Sequence, residues 1–454
     1  MGLKLKGYDG NGTFDHGVHP PGRKELAKDV PIRVMPTPDS VVLSLHQNIG
    51  GPCESVVKPR QTVGWGELIG KGTSFVSTML HASVPGVVQR PMRTTLANGR
   101  HMDTLPIKSD GEMPSDRALW DEIFGGSWPT TGLDAYDPVQ ISRDISDAGL
   151  VGLGGAAFPT HVKISPNDKK PVHTLLVNGC ECEPYLTSDY RLMIEAPAPI
   201  VTGALLAARS VGAERIVIGI EDNKMQAVEA IKKAADGTGI QVAVLKTKYP
   251  QGSEKHLTYA VLKRQIPLGG LPADVGVAIS NVATMAAVAR AVIHKKPLTH
   301  RVISVTGGGI ANPSNVLAPI GVSFGSLIEF CGGLTPDAAR LVAGGPMMGF
   351  AFSNPDTPVT KGAGGLTVMS KEEVRAGEES ACVRCGKCVD ACPMNLVPTK
   401  IAMASRHQDI ALSRRYNIMA CFECGSCAYT CPAHIPLVQL IRAGKARVVA
   451  ADRG

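Results

Sequence analysis

The chain has 454 residues, of which 44% are hydrophobic and 19% charged. That is enough apolar material for two to four packed domains and too much for a disordered protein. Fifty glycines and 33 prolines stand against only 4% aromatics, which indicates many turns around small-residue packing. The net charge is +7, but aromatics for base stacking are scarce and no reading motif is present, so a nucleic-acid partner is not expected.

Residues 1–10 carry two lysines with no apolar stretch behind them, and no signal peptide is expected. The longest uncharged stretch, 302–328, is broken by five glycines and two prolines. It reads as strands and turns, and no spanning helix is expected.

In chain order, residues 41–45, 54–57 and 86–88 are short β-type runs separated by Gly50-Gly51-Pro52 and Val84-Pro85-Gly86, which predicts a small barrel or sandwich. From about 138 to 300 strands and helices alternate. Apolar runs at 174–177, 215–220 and 241–245 suit buried parallel strands, with helices at 200–211 and 224–235 between them. This is the pattern of a doubly wound α/β domain. Residues 301–350 return to strands and tight turns, with one helix near 326–330. The remainder reads as short helices around cysteines.

Eight of the twelve cysteines fall between Cys382 and Cys431. Their spacing is Cys382-x2-Cys385-x2-Cys388-x3-Cys392-Pro393, repeated as Cys421-x2-Cys424-x2-Cys427-x3-Cys431-Pro432. This is the two-cluster ferredoxin run, in which the fourth cysteine of each motif ligates the other cluster. The expected sets are therefore Cys382, Cys385, Cys388 and Cys431 for one [4Fe–4S] cluster, and Cys421, Cys424, Cys427 and Cys392 for the second. Two structural zinc sites are the competing reading, and the identical repeat with Cys-Pro endings argues against it. From 382 to the end there are ten Lys/Arg and four Asp/Glu, a basic excess that offsets cluster charge and leaves a positive face for a partner. Cys53, Cys180, Cys182 and Cys331 read as small buried residues.

Ahead of the first α/β strand lies Gly152-Leu-Gly154-Gly155-Ala-Ala-Phe158-Pro159-Thr-His-Val-Lys163. Glycines allow close backbone approach to a ligand, and a nearby lysine can meet phosphate. At the end of that strand stands Asn178-Gly-Cys180-Glu181-Cys182-Glu183-Pro184, where α/β sheets bind ligands. An ordinary tight loop and solvent-facing acids are the bland readings of these two segments.

Together these two segments resemble the loop G-x-G-G-x-x-F-P-x-x-x-K and the motif N-x-x-E-x-E-P of the NADH-oxidising flavoprotein of respiratory NADH dehydrogenase. Ser280-Asn281-Val282-Ala283-Thr284 is similar to that family's later asparagine-rich motif. With the cysteine pair added, the whole chain resembles the family of C subunits of Rnf-type electron transport complexes. The resemblance implies an α/β multidomain chain. Its parts are an N-terminal lipoyl-like β barrel-sandwich (1–125), a Rossmann-like FMN/NADH domain (126–298), a small β-grasp-like, ubiquitin-like module (299–365) and a C-terminal α-helical two-cluster ferredoxin domain (366–454). No lysine marks a hairpin tip in the barrel, and no lipoyl group is expected.

The resemblance further implies FMN at Gly152, Gly154, Gly155, Lys163, Asn178, Glu181, Asn281 and Thr284, with Glu221 as a further acidic strand end. Phe158 and Glu183 would contact NADH or NAD. The family's aromatic just after the lysine is absent, since Ile164-Ser-Pro166 follows Lys163. The implied activity is electron transfer between NADH, FMN and two [4Fe–4S] clusters, with no side chain acting as nucleophile or general acid. The implied partners are the other subunits of an ion-translocating membrane complex, with ferredoxin or flavodoxin as electron partner. The implied location is peripheral, on the cytoplasmic side of the bacterial inner membrane. A diaphorase subunit of a soluble dehydrogenase or hydrogenase, and a non-catalytic wiring scaffold, are the alternatives.

Overall fold

The computed structural model describes residues 10–165, 169–374 and 377–453; residues 1–9, read for a signal peptide, and Pro166 lie outside these. The chain is mixed α/β. Its first unit is a five-stranded sheet facing a three-stranded one. In the larger sheet His101–Ser109 pairs with Ser40–Ser44, Gly86–Val88 and Met92–Thr95, and in the smaller Leu68–Gly72 pairs with Cys53–Ser55 and Leu80–His81. Val41, Leu43, Ile69, Leu105 and Ile107 are buried between them. The nine-residue strand His101–Ser109 organises the larger sheet, yet its sequence gives a poor strand signal because Pro106 and Asp103 interrupt the alternation.

Four parallel strands form the next sheet, in the order Gln241–Leu245, Arg215–Glu221, Thr174–Asn178, Val277–Asn281. Both faces are covered, which is why the strands read as continuous apolar runs. Leu175, Val177, Ile218 and Ile220 belong to the core shared with Pro197–Val211 and Val282–Ile293. Leu176, Val217, Ala243 and Ile279 pack with Leu257, Ala260 and Val261 of Glu254–Leu262.

The small β unit is a six-stranded sheet, and it draws on more of the chain than 299–365. The two-residue strand Arg33–Val34 pairs in parallel with Ser314–Pro319. Gly365–Ser370 lies between His300–Thr306 and Ala338–Ala343. A two-residue strand has no period of its own to detect, so its place is set by its partner. The cysteine region forms short helices, Lys387–Asp390 and Ser426–Tyr429, packed with Pro398–Arg406 and Leu437–Ala451. Among the described residues no single helix is long and apolar enough to cross a membrane.

Candidate functional site

After the central strand Thr174–Asn178 the chain builds outward on one side, then returns to place Val277–Asn281 on the other. The strand order reverses between these two, and Asn178 and Asn281 are registered partners at their carboxyl ends. Such a reversal opens a crevice beyond the strand ends, where α/β sheets bind ligands. Asn281 caps Val282–Ile293, its Oδ1 accepting from the N–H groups of Ala283 and Thr284, while its Nδ2 donates to Asp189 at 2.6 Å.

The glycine loop is folded over this crevice. It closes on itself through Gly152 N–H to the Phe158 carbonyl at 2.8 Å and Ala157 N–H to the Gly152 carbonyl at 3.2 Å. A Cβ at Gly154 would lie 3.3 Å from that of Asn281. Gly155 has φ +107° with open space beyond it, a conformation that a side chain would strain. Leu153 is pinned from both sides: its N–H donates to Thr284 Oγ1 at 2.9 Å and its carbonyl accepts from Arg301 at 3.1 Å. Residues 154–156 are left exposed at the apex, a backbone cradle open to a flat or phosphorylated ligand.

The acidic loop is held mostly by protein. Asn178 donates to the Gly252 carbonyl at 2.8 Å and accepts from Cys180 N–H at 3.0 Å. Glu181, at φ 45°, accepts from the Asp189 and Tyr190 N–H groups at 2.7 and 3.2 Å, where the start of helix Ser188–Glu195 favours a carboxylate. Glu183 accepts from the N–H groups of Met348 at 2.8 Å and Met347 at 3.2 Å. Burial raises its carboxyl to about 7 against the pull of those two amides and of Lys24. Asp189 is likewise raised to about 7, first by burial and then by the charge of Glu181. Lys24 donates to the carbonyls of Glu181, Glu183 and Leu186 at 2.9, 3.0 and 2.6 Å, and burial lowers it to about 8. Glu221 forms a buried ion pair with Lys224 at 2.9 Å.

The structure thus brings Gly152, Gly154, Gly155, Asn178, Asn281 and Thr284 to the crevice. The carboxylates of Glu181, Glu183 and Glu221 rest on protein partners. Lys163 is paired with Glu254 at 2.6 Å, and Phe158 is half-buried beside the loop. Sequence reasoning missed Lys24, Asp189 and Arg301, which hold the two loops. Arg301 and Asp189 carry no motif, and Lys24 lies more than 150 residues from what it binds.

In the cysteine region Cys382 and Cys385 are exposed, and Cys388, Cys392, Cys424, Cys427 and Cys431 are buried. Burial, then the charges of Cys424, Cys421 and Cys392, push the Cys427 thiol up; Cys421 rises to about 11 from burial and from the charges of Cys424 and Cys392. Cys427 therefore lies within electrostatic reach of Cys421, Cys424 and Cys392, the last supplied by the first motif. Cys388 feels Cys382 and shares an apolar cluster with Cys431. Leu396 N–H reaches Cys392 Sγ, and Glu423 N–H reaches Cys421 Sγ, both at 3.4 Å. Crowded thiols call for a cationic group to offset their ionised forms, and amide-to-sulfur bonds are the contacts that tune iron–sulfur centres. Cysteine sulfurs are the donors that iron–sulfur clusters take. Among the described residues no three His, Cys, Asp or Glu side chains close on a single ion.

Comparison with known proteins agrees with this layout. Residues 145–290 match the Nuo51 FMN-binding domain and residues 12–112 the RnfC barrel sandwich hybrid domain. Residues 302–351 match the SLBB domain, and 381–435 the 4Fe-4S dicluster domain. The chain is 41% identical over 441 residues to the C subunit of the proton-translocating ferredoxin:NAD(+) oxidoreductase complex of Clostridium ljungdahlii, covering 97% of this chain and 94% of that protein. It is 42% identical over 445 residues to the C subunit of the Na(+)-translocating ferredoxin:NAD(+) oxidoreductase complex of Acetobacterium woodii, covering 98% of each. With the C subunit of the ion-translocating oxidoreductase complex of Rhodobacter capsulatus it shares 38% identity over 436 residues, covering 95% of this chain and 82% of that one. Likeness at this level runs through the barrel, the sheet-end crevice and both cysteine sets, so the chain belongs to the family of C subunits of ion-translocating ferredoxin:NAD(+) oxidoreductase complexes.

Proposed function

We propose that this chain is an electron-transferring subunit of a membrane-bound ferredoxin:NAD oxidoreductase, exchanging electrons between NADH and its own clusters. The observation that carries this is the open glycine apex over the Asn178–Asn281 crevice, joined through a short buried path to the second cysteine set. FMN is assigned to Gly152, Gly154, Gly155, Lys163, Asn178, Glu181, Asn281 and Thr284, with Glu221 beneath, and the nicotinamide nucleotide to Phe158 and Glu183. The clusters are assigned to Cys382, Cys385, Cys388 and Cys431, and to Cys421, Cys424, Cys427 and Cys392. At finer grain, the parallel sheet is read as Rossmann-like and residues 299–365 as β-grasp-like.

Bound there, FMN supplies the conversion between a hydride pair and single electrons, and the clusters carry those electrons one at a time. The chain supplies placement. Thr284 and Arg301 fix the loop at Leu153, Lys24 fixes the acidic loop by three carbonyls, and the Glu221–Lys224 pair keeps the floor of the site nearly neutral. From the crevice, Gly252 N–H meets Cys182 Sγ at 3.4 Å, and Tyr249 three residues back bonds the Cys424 carbonyl. Cys182, Tyr249 and Cys424 share one apolar cluster, which makes the second cysteine set the nearer to the crevice. The exposed Cys382 and Cys385 then mark the end that faces other subunits and ferredoxin or flavodoxin. Peripheral attachment at the cytoplasmic face of the inner membrane completes the reading.

Anaerobic purification, with iron, sulfide and FMN quantified, followed by NADH addition, tests it. Bleaching of flavin and of broad iron–sulfur absorption is expected; colourless protein containing zinc would sink it.

A further inference from the structure

Phe75 is 78% exposed, more than any other large hydrophobic side chain among the described residues. It stands in the connection between Leu68–Gly72 and Leu80–His81 of the barrel, and that connection is tied down. Ser74 N–H donates to Ser77 Oγ at 3.3 Å, the Ser77 hydroxyl returns a bond to the Ser74 carbonyl, and Gly51 N–H donates to the Val76 carbonyl at 2.8 Å. An exposed aromatic on a fixed turn keeps its ring in water at a hydrophobic cost, and this turn does not lie on a remote surface. Ile49, on the adjoining barrel loop and 53% exposed, donates its N–H to the Ala157 carbonyl of the glycine loop at 3.1 Å. The Phe75 carbonyl faces the His161 ring, in the helix Thr160–Ile164 that follows the glycine loop, and the buried His161 Nδ1 has no hydrogen-bond partner. The same helix offers no aromatic beyond Lys163, since its last residue is Ile164, which is fully buried.

We propose that Phe75, delivered by the N-terminal barrel, is the platform on which the adenine of the nicotinamide dinucleotide stacks. The inference rests on the reading that flavin and dinucleotide meet over the glycine loop. A ring face of this kind holds any purine without reading its edges. The barrel thereby becomes part of the nucleotide site and not only an appendage.

The test uses the anaerobically purified full chain with FMN and clusters in place. For Phe75→Ala the KM for NADH with an artificial acceptor should rise about tenfold, equal to about 1.4 kcal/mol, with kcat little changed. Reduced nicotinamide mononucleotide, which lacks adenine, should lose less than about twofold on the same scale. Phe75→Trp should restore the NADH value, and the emission it adds to the parent's should be quenched on titration with ADP-ribose. An unchanged KM for NADH, or an equal loss with both nucleotides, overturns the assignment, as does added emission in Phe75→Trp that is blind to ADP-ribose. Parent protein that holds FMN but fails to bleach with NADH overturns the underlying reading, and the role of Phe75 with it.

Discussion

The hydroxyl of Tyr249 donates to the main-chain carbonyl of Cys424 at 2.6 Å, across 175 residues of sequence. Seven residues on, the buried His256 ring donates from Nε2 to the Pro393 carbonyl at 3.0 Å and packs against Phe422, with ring centroids 5.6 Å apart. The segment that closes the crevice is therefore fastened to both cysteine motifs at once. Tyr249→Phe removes one neutral hydrogen bond and leaves the Cys424 carbonyl unpaired, a cost of about 1–3 kcal/mol. Thermal unfolding of the anaerobic protein should show it as a lowered Tm with cluster content intact at the start; a variant as stable as its parent would show that the contact contributes nothing net.

The charge of Cys392, from the first motif, reaches Cys427 of the second. Cys392→Ser should damage the cluster of the second motif, with about half the iron at risk because each cluster holds four irons. Low-temperature electron paramagnetic resonance of the reduced protein separates the two centres. Damage confined to the centre bound by Cys382, Cys385 and Cys388 contradicts crossed ligation.

Lys224 is almost wholly buried against Glu221. Glu221→Ala strands that cation, and removal of one partner of a buried pair costs about 3–5 kcal/mol. The double change Glu221→Gln with Lys224→Met should recover much of the loss. Urea unfolding of all three proteins decides, and equal destabilisation of single and double variants would argue against the pair.

The carboxyl of Glu183 is raised to about 7 in the fold from an ordinary 4.5. Between these values the folded chain binds more protons than the unfolded one, so the stability due to this group falls as pH rises through the window and stays low above it. Glu183→Gln, neutral at every pH, should gain on its parent from pH 5 to pH 8. The unfolding free energy of the variant minus that of its parent, measured at both pH values, should rise from pH 5 to pH 8, and a difference that is constant or falls refutes the shift. The same variant should weaken reduction by NADH while leaving iron content unchanged.

Thr284 accepts from Leu153 N–H inside the core. Thr284→Val keeps the shape and leaves that amide unpaired, at about 1–3 kcal/mol, and the strain falls on the glycine loop. Flavin released into filtrates, measured by fluorescence, should increase for this variant at unchanged iron content. Flavin retention equal to the parent's would separate Thr284 from loop placement.

What could be read from sequence alone was what short spacing encodes. The two cysteine runs, the glycine loop, the apolar strands of the parallel sheet and the asparagine motif at 280–284 are local patterns, and each keeps its meaning without knowledge of the rest of the chain. The tertiary structure alone decided which groups meet. Lys24 binds the carbonyls of an acidic loop more than 150 residues away, Arg33–Val34 joins a sheet built from residues beyond 300, and Glu183 turns to Met347 and Met348. A carboxylate bonded to backbone amides looks in sequence like any solvent-facing acid, because the amide that captures it carries no side-chain signature. The contacts of the acidic residues were therefore the least legible part of the chain, and the dicluster cysteine pattern of residues 381–435, whose spacing is local, the most.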